Sequence, residues 1–141
     1  EYFSGLKTGQ MKILREEFAG TFWNESINDE NFPGADANVS IEGVRPVKIG
    51  KAFTREEGIA VLKAMTPPMK PARLDKCIRW CAANKEYQRT HWMLCLAQSW
   101  VGADDVGCLV YFDGDTQYRY ADLNDVARRW GASREVLAEQ E

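Results

Sequence analysis

No stretch of this sequence is apolar over the roughly 20 residues needed to cross a bilayer. Its opening, EYFSGLKTGQMKIL, lacks the basic segment and apolar run of a signal peptide. These absences predict a soluble cytoplasmic chain with no membrane contact. Histidine occurs once, as His91, and four cysteines among 141 residues are too few for a secreted disulfide scaffold, so reduced thiols are expected. Also missing are the GxxxxGK[ST] and GxGxxG phosphate-binding patterns, the GxSxG elbow and the HExxH zinc helix. No cofactor is implied. The sequence has no internal repeat and no low-complexity tract.

What is present describes one ordinary domain, 45% hydrophobic and 28% charged. Residues 1–10 are polar and contain glycine, and read as a flexible extension, a processing or expression remnant ahead of a start at Met11. The net charge of −3 conceals a segregation: residues 1–43 and 104–141 each carry −5, whereas residues 44–103 carry +7. A basic centre between acidic ends either faces an anionic partner or is neutralised by its own ends.

The apolar spacing predicts a short helix over residues 12–23, broken near Gly20, then a long loop over 24–38 rich in Asn and Asp with Pro33 and Gly34. Partial alternation over 39–49 predicts two short strands about Glu42-Gly43, with Pro46 at an edge. Thr54 and Glu57 form a capping-box pattern ahead of Ile59, Val61, Leu62 and Met65, a helix expected to stop at Pro67-Pro68. A third helix is predicted over about 71–83. A fourth, about 86–101 and apolar nearly all round at HWMLCLAQSW, reads as the buried hub. VGCLVYF-DGDT-QYRY predicts a β-hairpin, and two short helices are predicted to follow over 122–130 and 133–140. The expected architecture is a single compact α+β domain over 11–141: four to six helices around that central helix, two short β-hairpins, and a C-terminal hairpin plus two-helix unit over about 106–141.

Two groups of residues could carry function. Cys77, Cys81, His91 and Cys95 stand in two pairs, each four apart, and two helical faces so marked could surround a tetrahedral zinc. However, Cys77 and Cys81 share a stripe with Leu74 and Ile78, where free cysteine acts as a small core hydrophobe. Core packing is therefore the favoured reading, with a zinc- or thiol-dependent enzyme around His91 the far alternative. The second group is the basic centre, above all Lys70, Arg73, Lys76, Arg79, Lys85 and Arg89, interleaved with Trp80, Tyr87 and Trp92. Cations that contact phosphate, beside rings that stack on bases, suit a nucleic-acid or acidic-protein partner. The end LNDVARRWGASREVLAE resembles a helix-turn-helix, but its excess of acids opposes DNA binding. The sequence is thus expected to encode a small non-enzymatic binding or regulatory protein with a basic docking surface. Its alternative is a protein-directed inhibitor or immunity-type factor acting through acidic surfaces.

Overall fold

The computed structural model describes residues 9–102, 105 and 107–141. In chain order its elements are α1 (Gln10–Phe18), β1 (Phe22–Trp23), β2 (Arg45–Lys48), α2 (Arg55–Lys63), β3 (Met69–Pro71), α3 (Leu74–Ala83), α4 (Lys85–Thr90), β4 (Met93–Leu94), β5 (Trp100–Val101), β6 (Gly107–Gly114), β7 (Arg119–Asp125) and β8 (Glu135–Gln140). The strands make one mixed eight-stranded sheet in the order β1-β7-β6-β4-β8-β2, with β3 also on β8 and β5 also on β6. Among the described residues no helix is long and apolar enough to cross a membrane.

Strand alternation sends neighbouring side chains to opposite faces, so a central strand must be apolar on both. On one face Val110, Phe112 and Ala121 join Leu137, Met93 and residues of α1 and α3 in the larger core. On the other, Leu109, Leu94, Val136 and Ala138 pack with Val47, Phe53, Leu62 and Trp130 in a second core. The sheet is the hub, lying between two helical layers.

This corrects the expected architecture. The chain is a single α+β domain, but no buried central helix exists among its helices. The predicted helix over 86–101 ends at Thr90, and its apolar part becomes β4, a linking segment and β5. The physical reason lies in β4's position between β6 and β8: a strand buried on both faces is apolar all round, as a buried helix is, and periodicity cannot separate them. The predicted C-terminal two-helix unit is likewise absent. Its first part is β7 followed by turns, and its second is β8, in which Glu135, Val136, Leu137 and Ala138 are all buried. EVLAEQ has good helix formers, but pairing with β2, β3 and β4 overrides that weak preference.

Smaller corrections follow from the same sheet. Only one strand, β2, forms in the region expected to be the first hairpin, and it pairs with β8. The third helix starts at Leu74 because Pro71 belongs to β3. Other expectations match. Helix α1 stops at Phe18, ahead of Gly20, although Phe22 and Trp23, expected in that helix, form β1 on β7, and α2 starts on the reciprocal Thr54–Glu57 capping box. Helix α2 ends at Lys63, before Pro67 and Pro68. The β6–β7 hairpin is present, its ladder running to Gly114↔Arg119. Of the expected N-terminal extension, residues 1–8 lie outside the described residues. Gln10 opens α1 and its side-chain oxygen accepts from Ala37 N at 2.7 Å.

The hairpin tip and α4 are held together by backbone contact. A Cβ at Gly114 would lie 2.6 Å from Tyr118 O, 3.1 Å from Arg89 Cα and 3.2 Å from Gln88 O, so only glycine allows this approach. Fully buried Gln88 donates to Asp113 O at 3.0 Å and Tyr120 O at 2.9 Å, joining the two strands to the helix.

Candidate functional site

The four metal-candidate residues are not assembled as a metal centre. Cys77, Cys81 and Cys95 are buried, with the Cys77 and Cys95 thiols directed at Ala72 O (3.4 and 3.7 Å). Burial pushes the Cys77 and Cys81 thiols up and holds them protonated, opposite to what a zinc ligand or nucleophile requires. His91 is engaged elsewhere: its ring stacks on Tyr87 at 3.7 Å, and Nδ1 lies 2.9 Å from Tyr87 O. Among the described residues no group of three or more His, Cys, Asp or Glu is arranged to hold a metal ion.

Four of the six basic candidates pair with the chain's own acids. Lys76 pairs with Glu139 of the acidic C-terminal part at 2.6 Å, and Arg79 forks onto Glu17 of the acidic N-terminal part at 3.1 and 3.3 Å. Arg73 pairs with buried Asp75, whose Oδ2 also accepts from Asp36 N, and Arg89 pairs with Glu86. Lys85 donates to Ala82 O at 2.8 Å. Lys70 is exposed and has no ion pair with a described residue. The expected aromatic companions turn inward: Trp80 meets Tyr87 edge-on, and the Tyr87 hydroxyl donates to both oxygens of buried Glu135 at 2.8 and 3.0 Å.

That last contact has a measurable consequence. Burial and the Glu135 carboxylate push the Tyr87 phenol up to about 12. A group whose folded pKa is raised contributes stability that is full below its unfolded pKa, about 10 for tyrosine, and is lost as pH rises through the folded value. Wild-type stability is therefore expected to fall between about pH 10 and 12. Tyr87→Phe is expected to be less stable at neutral pH and to show a shallower alkaline loss. Denaturant midpoints measured across that range check both, and an unchanged slope contradicts the assignment.

Among the described residues, four large apolar or aromatic side chains are exposed, Ile13 on α1, Val101 on β5, and Phe22 and Tyr118 beside β7. The second core covers only part of its face, where α2, Phe53 and Trp130 pack. Beyond them, among the described residues, the same face carries exposed Phe22 and half-buried Tyr120, Asp113 and Asp122, with Tyr111 and Trp92 packed at the border of the second core. Register places Tyr111 opposite Asp122, Asp113 opposite Tyr120, and Phe22 beside Tyr120. Tyr118 tilts against Tyr120 with ring centres 6.2 Å apart, and Trp92 stacks on Tyr111 at 4.5 Å and 16°. Phe22 is 45% exposed and Tyr118 42% exposed. The result is an aromatic shelf interleaved with carboxylates.

Local hydrogen bonds fix these groups. Asp115 Oδ1 accepts from Gln117 N at 2.8 Å and Tyr118 N at 2.9 Å, setting the turn that presents Tyr118. Asp122 Oδ1 accepts from Asn24 Nδ2 and Leu123 N, both at 2.8 Å, tying β7 to the chain just after β1. The carboxylates give the shelf a negative potential. Burial, then Asp122 and Asp113, raise the Tyr111 phenol; burial, then Asp115, Tyr118 and Asp113, raise that of Tyr120. At the inner end Arg134 lies 4.7 Å from the Trp92 ring centre, and Arg128 reaches Asn124 at 3.4 Å.

Sequence reasoning passed over this shelf, although its signal is the simple alternation of Tyr118, Tyr120 and Asp122 on one strand with Tyr111 and Asp113 on the other. What the alternation does not convey is whether a helix covers that face. Comparison with protein-family models, with curated proteins and with solved structures found no match to this chain.

Proposed function

We propose that this is a small binding or regulatory protein that docks another protein on the aromatic shelf of its sheet. The observation that carries this reading is the shelf of Phe22, Tyr118 and Tyr120, flanked by Asp113, Asp115 and Asp122, with Tyr111 at its core-packed end. Rings held in water on a rigid sheet lose little side-chain entropy on binding and present a large apolar area. Covering the 45% of Phe22 that is exposed is worth about 2 kcal/mol. Aromatic residues at the centre of a contact commonly dominate its energy.

The test is a double substitution, Phe22→Ala/Tyr118→Ala, at two exposed positions. Its melting profile is expected to match wild type, while affinity for the proteins captured by tagged wild type drops by about 2–4 kcal/mol. A variant that captures the same proteins to the same extent removes this reading.

A second reading, an anionic partner on the basic centre, is supported by exposed Lys70, which makes no ion pair with a described residue. Because Lys76 and Arg79 serve internal ion pairs, Lys70→Glu/Lys85→Glu is the cleaner test for it. Nucleic-acid binding that is steeply salt-dependent and lost in this variant favours that surface; its absence at low salt removes the nucleic-acid form.

A further inference from the structure

We propose that the outer half of the shelf, where Phe22, Tyr118 and Tyr120 meet Asp113 and Asp115, receives an arginine-bearing peptide segment of the partner protein. This rests on the docking reading above and specifies its chemistry. Guanidinium planes lie on the rings, and their N–H groups donate to the two carboxylates.

Three observations support this occupant. The first is charge. Asp113 and Asp115 make no ion pair with a described residue, and the backbone bonds given to them use Oδ1 alone: Gly114 N on Asp113, and Gln117 N and Tyr118 N on Asp115. Among the described residues, no hydrogen bond to either Oδ2 atom is formed. Of the nearby cations, Arg89 pairs with Glu86 and Arg119 lies inside the core, while Arg128 and Arg134 keep their charge at the inner end, beside Asn124 and the Trp92 ring. The outer end is therefore negative.

Second, the molecule already uses this contact. Arg134 sits over Trp92 at the inner end of the same shelf, and Arg119 sits 4.3 Å from the Phe18 ring centre in the core. A guanidinium stacks on a ring and forks onto a carboxylate at once, as a lysine ammonium does not.

Third, the competing ligands fit less well. A neutral sugar would stack on these rings but cover the carboxylates without a counter-charge, at a desolvation cost. Phosphate-bearing nucleic acid would be repelled by them.

The experiment uses the full chain and a fluorescent Gly/Ser-spaced peptide containing four arginines, with a control in which citrulline replaces each arginine. Anisotropy at physiological salt is expected to show saturable binding, weakened about tenfold or more by citrulline, by Asp113→Asn/Asp115→Asn and by Phe22→Ala/Tyr118→Ala. Asparagine keeps the Oδ1 acceptor that holds the turn, and circular dichroism confirms folding. Glu42→Gln/Glu56→Gln, which removes the same charge from exposed positions off the shelf, is expected to leave affinity unchanged. Equal binding of the citrulline peptide overturns the proposal, as does an equal loss in the Glu42/Glu56 variant, which would mean generic attraction to an acidic protein. If the arginine peptide fails to bind while Phe22→Ala/Tyr118→Ala still loses captured protein, this inference falls and the docking reading stands. If that variant retains its captured protein, the docking reading falls.

Discussion

Replacing Arg119 with methionine is expected to lower the free energy of unfolding by about 3–5 kcal/mol, a large share of the stability of a domain this size. Arg119 is 2% exposed and makes no ion pair with a described residue. Its guanidinium donates to Phe18 O at 2.6 Å, Cys81 O at 3.1 Å and Gln88 Oε1 at 2.9 Å. Phe18 ends α1 and Cys81 lies in the last turn of α3, where unpaired carbonyls concentrate the negative end of each helix dipole. A cation on β7 thus closes two helices onto the sheet. Burial lowers its pKa, but guanidinium stays charged, so the fold must satisfy the charge with dipoles. Methionine keeps the stem and removes every donor, taking from Phe18 O and Gln88 Oε1 the donor they have here, while Cys81 O keeps its bond from Asn84 N. Equilibrium denaturation followed by tryptophan fluorescence measures this, and a loss below about 1 kcal/mol would refute the role assigned to Arg119.

Phe18→Ala is expected to cost a comparable amount, about 3–5 kcal/mol, for a different reason. The ring is fully buried, meets Trp23 edge-on at 5.6 Å and Phe112 at 6.2 Å, and lies beneath the Arg119 guanidinium. Its removal opens a cavity between α1 and the sheet and takes away the surface on which the cation rests. The two changes should therefore not add. Phe18→Ala/Arg119→Met is expected to fall short of the sum of the single losses by about 1–2 kcal/mol in a double-mutant cycle. Strict additivity would show that ring and cation act independently.

Where local chemistry specifies a structure, the sequence was readable. Thr54 and Glu57 satisfy each other's backbone amides within one turn, and the β6–β7 strands carry their alternation and their turn together. The charge pattern was legible as a choice between two outcomes, and Arg79–Glu17 and Lys76–Glu139 show the acidic ends folding back onto the basic centre. Where a segment's state depends on what lies beside it, reading from sequence failed. HWMLCLAQSW is apolar in every direction, and EVLAEQ favours a helix by composition. Both became extended because β4 lies between β6 and β8, and β8 pairs with β2, β3 and β4.

The same division applies to the candidate sites. The sequence by itself determined that Cys77, Cys81 and Cys95 belong to the core, because apolar neighbours accompany them at core spacing and a thiol is a small hydrophobe. It also placed Tyr118 and Tyr120 on one face of a strand, since side chains alternate with period two, but it assigned Asp122 to a helix. Only the tertiary structure decided that α2 and Trp130 stop short of that face, leaving Phe22 and Tyr118 in water, and that Lys76 and Arg79 are engaged by distant acids. Exposure and ion pairing depend on contacts between residues far apart in the chain, and no local pattern specifies them.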